Sequence, residues 1–126
     1  FVDKYHYLYS ISRRDIPLAQ QAVQAAHAAI EHAYLFGRPA DYHPSYIHLT
    51  ARNQEHLELL RARLQASGNS TAEFHEPYQD WGLTAIACCL NECQRHLLKG
   101  LPLWRLPTQE NVLLTPQSSP SNTGIS

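Results

Sequence analysis

The sequence has no excess of positive charge: ten Lys and Arg stand against eleven Asp and Glu, a formal charge of −1. A dedicated nucleic-acid binder usually carries surplus cations that displace counterions from phosphates. An RNA partner would therefore need a local basic patch. Arg13 with Arg14, Arg52 with Arg61 and Arg63, and Arg95 with Lys99 are the candidates, and solvated surface charge is the plainer account of any one pair. Long apolar runs are missing too. The densest stretch, Ala22 to Leu35, is interrupted by Gln24, His27, Glu31 and His32, whereas a spanning helix needs about 20 mainly apolar residues. No membrane partner is expected. Asp3, Lys4 and His6 stand where a secretory signal needs its apolar core, so no signal peptide is read there. The chain does not open on methionine, so a few residues are expected upstream. Its three cysteines, Cys88, Cys89 and Cys93, include no CxxC pair. Neither a disulfide framework nor a zinc site is indicated, and a reducing cytoplasm is the simplest compartment.

What is present suffices for one core. The 126 residues fit a single domain, and 44% of them are apolar. Tyr5 to Ser12 is aromatic, β-branched and partly alternating, and predicts a strand. Asp15 is placed to cap a following helix, with Pro17 in its first turn. That helix is expected to run to about Phe36, stopped by Gly37 and Pro39. Arg38 to Pro44 reads as a loop and Ser45 to Thr50 as a second strand. Asn53 is a cap for a second helix, in which Leu57, Leu60 and Leu64 recur at helical spacing before Gly68.

Thr71 to Glu76 predicts a short third strand, and Pro77 to Trp81 a loop. Leu83 to Cys89 is a continuous apolar run, as expected of a central strand covered on both faces. Asn91 is a cap for a short third helix closed by Gly100. Leu101 to Leu106, broken by Pro102, is expected to lie against the domain or against a partner. Strands alternating with helices indicate an α/β fold: three layers, α/β/α, around a four-stranded mixed sheet. The third and fourth strands are close enough in sequence to pair antiparallel. Residues 1–106 are expected to form the domain, and 107–126, rich in Ser, Pro and Asn toward the end, a flexible tail. No internal repeat is visible.

Gln20, Gln24, His27 and Glu31 are spaced i, i+4, i+7, i+11, which puts them on one face of the first helix. Small residues surround them: Ala19, Ala22, Ala25, Ala26, Ala28, Ala29 and Ala33. A helix so rich in alanine can pack closely on more than one side, leaving the polar stripe to line a groove or a subunit contact. A solvated polar face is the bland alternative.

Arg14-Asp15 after the first strand, followed by Gln24-Ala25-Ala26-His27-Ala28, resembles the signature of type II peptidyl-tRNA hydrolases. That family carries an Arg-x-Asp element and a helix reading Gly-Lys-x-x-x-Gln-x-x-His-Ala. Phe74-His75-Glu76-Pro77, a loop, and Gly82-Leu83-Thr84-Ala85-Ile86-Ala87 resemble its closing segment. The Glu-Pro form and short loop are similar to its divergent branch, the peptidyl-tRNA hydrolase domain-containing proteins. The resemblance covers about Tyr5 to Leu90. Gln20 stands in the position of the family's lysine, Ala19 in that of the preceding glycine, and Glu76 in that of an aspartate. The loop is shortened to Tyr78, Gln79, Asp80 and Trp81.

The resemblance implies hydrolysis of the ester joining a peptide to tRNA, in weakened or altered form, by a cytoplasmic protein that forms a homodimer. Such chemistry needs an activated water and a stabilised oxyanion. His27 or Glu76 is the candidate general base. Gln24, Thr84 or backbone N–H groups are candidate oxyanion donors, and Gln20 a neutral substitute for the lysine. Arg14 is a candidate for holding phosphate or carboxylate. Asp80 and Trp81 are candidate substrate contacts, and a Trp capping the core is an equal reading of Trp81. Cys93 and His96, i and i+3, lack a third orienting group. His27 with His32, and His43 with His48, are five apart, which does not favour metal ligation. No metal and no cofactor are expected. The alternative is a non-catalytic module of the same fold that binds RNA, nucleotide or protein. A third reading makes the first helix only a dimer contact.

Overall fold

The computed structural model describes residues 6–37 and 44–106. Tyr5, most of the Arg38–Pro44 loop and the 107–126 tail lie outside them. Strand β1 (His6–Arg13) is followed by helix α1 (Leu18–Phe36), β2 (Ser45–Ala51), α2 (Gln54–Ala66), β3 (Thr71–His75) and β4 (Leu83–Asn91). The strands form one sheet in the order β2-β1-β4-β3. β1 and β2 are parallel, with α1 providing the crossover that parallel neighbours require. β4 runs antiparallel to β1 and to β3. The sheet is thus four-stranded and mixed.

Alternation along β1 sorts its side chains to two unlike faces. Tyr9 and Ile11 join Leu57, Leu60 and Leu64 of α2, together with Ile86, Cys88 and Leu90 of β4, in the main core. Those three leucines, at i, i+3 and i+7, are fully buried, each worth about 1.5–3 kcal/mol over exposure. The opposite face is lined with small residues. Ser10, Ser12, Ala85 and Ala87 are buried there, as are Ala25 and Ala28 of α1, so that helix can approach the sheet closely. The Ser10 hydroxyl donates to the Ala25 carbonyl at 2.9 Å. α1 and α2 therefore cover opposite faces.

The ends of the elements follow local chemistry, with one departure from expectation. Gly37 (φ 73°) stops α1, and the Asn53 side chain caps α2 by accepting from the His56 N–H. Asp15, however, caps nothing: α1 starts after Pro17 without a side-chain cap. Proline there removes one N–H that would need satisfying, and the Asp15 carboxylate is occupied by Arg13, at 2.9 and 3.0 Å. The third helix, Glu92–Leu98, is a 3₁₀ helix rather than an α-helix. Asn91 and Gln94 form its capping box, and Arg95 is tied to the Tyr9 hydroxyl at 2.9 Å while lying over the Tyr7 ring. Side-chain anchors hold this turn in place of an α ladder.

The Leu101–Leu106 segment lies against the domain. Thr50 N–H donates to the Pro102 carbonyl at 2.9 Å and Trp104 N–H to the His48 carbonyl at 2.8 Å, covering the edge of β2. Exposed strand edges invite pairing with other chains, and this strap occupies that one.

Candidate functional site

A bulge at the start of β4 builds the polar centre of the molecule. Phe74 pairs with Ala85, but the next residue of β3, His75, pairs with Leu83. Thr84 is the extra residue, and a bulge of this kind re-aims a side chain. Leu83 and Ile86 both join the α2-side core, while Thr84 turns to α1. Its hydroxyl lies 2.6 Å from Gln24 Oε1 and 2.9 Å from the Phe74 carbonyl. One hydroxyl proton is shared between these two acceptors.

Gln24 is fully buried, and its amide is fully used. Nε2 donates to Glu76 Oε1 at 2.7 Å and to Gln20 Oε1 at 3.2 Å. Glu76 is half-buried, and its other oxygen accepts the Tyr78 N–H at 3.2 Å. The structure therefore brings Gln20, Gln24, Glu76 and Thr84 into one hydrogen-bonded unit. Both N–H groups of Gln24 are thus engaged within this unit.

His27 and Glu31 complete the stripe on α1 but join none of these bonds. His27 is exposed and stacks on Phe74, with ring centroids 4.4 Å apart at 10°. Phe74 precedes Glu76 by two residues, so the imidazole lies beside this end of β3. Glu31 is half-buried.

Sequence reasoning chose Arg14 and missed Arg13. Arg13 donates to both oxygens of Asp15, to the Trp81 carbonyl and to the Leu83 carbonyl, and so holds the C-terminal end of the loop that follows Glu76. The Asp15 carboxyl is held below its ordinary range by that guanidinium. The Arg-x-Asp spacing, applied to Arg13 and Asp15, was the signal available. The Arg14 side chain is exposed and lines surface cavities with Thr50 and Pro102. Asp80 is exposed and Trp81 half-buried, the latter fixed through its carbonyl.

The thiols offer no second centre. Burial pushes the Cys88 thiol up to about 12 and also raises Cys89. His96 Nδ1 is bonded to the Cys93 carbonyl at 2.9 Å rather than to its sulfur. Among the described residues no three His, Cys, Asp or Glu side chains converge as a metal site would need, and no helix is long and apolar enough to cross a membrane.

The chain matches no protein-family model and no curated protein. Fourteen solved chains match it. One is Atu0240 of Agrobacterium tumefaciens strain C58, described as a protein of unknown function. It is similar with a TM-score of 0.61 over 82% of this chain and 98% of its own, at 15% identity. Likeness at that identity speaks to the fold alone.

Proposed function

We propose that the chain is a peptidyl-tRNA hydrolase-like ester hydrolase of weakened activity, with Glu76 as its general base. One observation carries the proposal: the buried Gln24 amide ties Glu76, Thr84 and Gln20 together, the residues that the family resemblance assigns to catalysis. A carboxylate fixed by two N–H donors still has lone pairs to accept a proton from water. His27 makes no hydrogen bond to this unit and serves as a wall of the site, stacked on Phe74. Gln20 Nε2 is a neutral oxyanion donor where the family has an ammonium. Losing one such stabiliser commonly slows the reaction about 10²–10³-fold.

A second reading has support in the same geometry. Because both N–H groups of Gln24 are consumed internally, the site has few side-chain donors to offer, as a non-catalytic binding module would. Cleavage of peptidyl-tRNA by wild type, Gln20→Lys and His27→Ala separates the two. Slow cleavage, accelerated by Gln20→Lys, is the expected result; no cleavage by any of the three leaves the binding module.

A cytoplasmic homodimer belongs to the same proposal. The outer side of α1 leaves Val23, Ile30 and Tyr34 exposed, an apolar row at helical spacing. Light scattering of wild type and Ile30→Arg tests it. A dimer lost in the variant is expected, and a monomeric wild type removes the idea.

A further inference from the structure

A cavity of about 530 Å³ lies between the Glu92–Leu98 helix, β2 and the strap. Its floor is the rim of the main core. Tyr9, Leu49 and Leu98 belong to that core and line the cavity, with Ile47 packed against them. Leu103, bridged to Leu49 from the strap, forms an outer wall and is 50% exposed. The cavity is thus on the α2 side of the sheet, the face opposite the Gln24–Glu76 unit. Three donors line the same space. Tyr9 is only 3% exposed, and its hydroxyl oxygen accepts the Arg95 Nε–H at 2.9 Å. The hydroxyl's own proton has no acceptor among the described residues, an unspent donor at a buried position. Arg95 is held by that bond and by the Tyr7 ring, whose centroid is 4.1 Å from the guanidinium carbon. Its geometry is therefore set without a ligand. Lys99 is the third donor, and the ion pairs of the described residues do not include it. One acid is present. Glu92 accepts the Tyr7 hydroxyl at 2.7 Å and lies 3.8 Å from Arg95 Nη1, an exposed pairing that compensates Arg95 weakly.

We propose that this cavity binds a small monocarboxylate with an apolar body. The carboxylate takes the Tyr9 proton and faces Arg95 and Lys99, and the body lies on Ile47, Leu49, Leu98 and Leu103. Carboxylate oxygens accept from a hydroxyl and a guanidinium at once. Mostly apolar walls with a few placed polar groups, around several hundred Å³, are what small-molecule sites have in common. Charge sets the head group. With His96 counted as neutral, Arg95 and Lys99 against Glu92 leave one positive charge in the lining. That matches a single carboxylate, whereas a phosphate dianion would bring a second negative charge toward Glu92. The inference does not rest on the hydrolase reading, since it uses the other face of the sheet and none of the same side chains.

The test is a titration of isotope-labelled protein followed by amide NMR shifts, with octanoate, octanol and acetate as probes. Octanol keeps the body without the charge, and acetate the charge without the body. Wild type, Tyr9→Phe and Lys99→Gln are compared, and the amide spectrum itself shows whether each variant is folded. Phenylalanine keeps the ring in the core and removes the hydroxyl. It also frees Arg95 Nε, so Lys99→Gln, at an exposed position, is the independent check. Octanoate is expected to saturate, with shifts concentrated in residues 47–49, 95–99 and 103. Tyr9→Phe should weaken it about tenfold, the loss of a hydrogen bond to a charged group. Lys99→Gln should weaken it about threefold, as for a partly screened charge. Both variants should leave octanol nearly unchanged. Octanol binding as tightly as octanoate overturns the proposal and leaves an apolar patch with no charge requirement. Acetate binding as tightly overturns it as well, since no body is then needed. Shifts that never saturate, or equal octanoate affinity in all three proteins, do the same. Ester cleavage enters none of these readings, so failure here leaves the hydrolase proposal untouched, and the reverse holds.

Discussion

Thr84→Val tests the hydrogen-bonded unit without opening a cavity. Valine has nearly the same shape, suits a strand, and meets a fully buried position. It removes the one proton shared by Gln24 Oε1 at 2.6 Å and the Phe74 carbonyl at 2.9 Å. A buried acceptor stripped of its donor costs about 1–3 kcal/mol. With two acceptors affected, a loss near the top of that range is expected. Urea denaturation reads it as a fall in midpoint of roughly 1 M, given slopes of about 1–3 kcal/mol per M. Gln24→Leu should cost at least as much, because it leaves Gln20 Oε1 and Glu76 Oε1 without the Gln24 donor, while the Thr84 hydroxyl keeps the Phe74 carbonyl. The double variant removes both ends of the contact, so it should cost less than the sum by about 0.5–3 kcal/mol. Thr50→Val is the control, since its hydroxyl is 3.4 Å from its acceptor and should matter little. Additivity of Thr84→Val and Gln24→Leu within about 0.5 kcal/mol would refute the coupling.

Acid should destabilise the fold through His48. Burial pushes this imidazole from 6.5 down to about 4, and its Nε2 lies 2.7 Å from the Ser12 hydroxyl. The unfolded chain takes up the proton below pH 6.5 and the folded chain only near pH 4, so stability is full above 6.5 and falls as pH drops through this window. The His48 share is at most about 3 kcal/mol. His32 and His56 are lowered by burial as well, so the comparison is with His48→Gln: urea midpoints at pH 7 and 4.5 should diverge less in the variant, and an equal divergence contradicts the assignment. Arg13→Lys cannot keep the fork to Asp15 while reaching the Trp81 carbonyl. Amide exchange over residues 78–82 should quicken about tenfold, equivalent to about 1.4 kcal/mol, and unchanged exchange would show that the loop is held by something else.

Much of the fold could be read from pattern because the pattern is physical. The unbroken apolar run in β4 follows from having helices on both sides, and Leu57, Leu60 and Leu64 from one helix on the larger core. The i, i+4 spacing of Gln20 and Gln24 likewise placed both on the face that meets Thr84 and Glu76. The bulge was not legible. Leu83-Thr84-Ala85 reads as regular alternation until two of these residues oppose a single step of β3, and that pairing is a tertiary fact. Arg13 was legible only through its Arg-x-Asp spacing to Asp15. Two adjacent arginines look equivalent in sequence, and only strand alternation, with Asp15 two residues on, gives one of them to the loop and the other to the surface. Asp15 had the composition of a cap, but an arginine within reach competed for its carboxylate.

Glu76 carries the chemistry in this account, and one comparison addresses it most directly: the rate of peptide release from peptidyl-tRNA by wild type and by Glu76→Gln under the same conditions. The amide keeps the size of the side chain but cannot take a proton, and removing a general base commonly slows a reaction about 10²–10⁴-fold. A drop of that order is the predicted result. Equal rates in the two proteins would mean that water is activated elsewhere, or that the Gln20–Gln24–Thr84–Glu76 unit only holds the fold together.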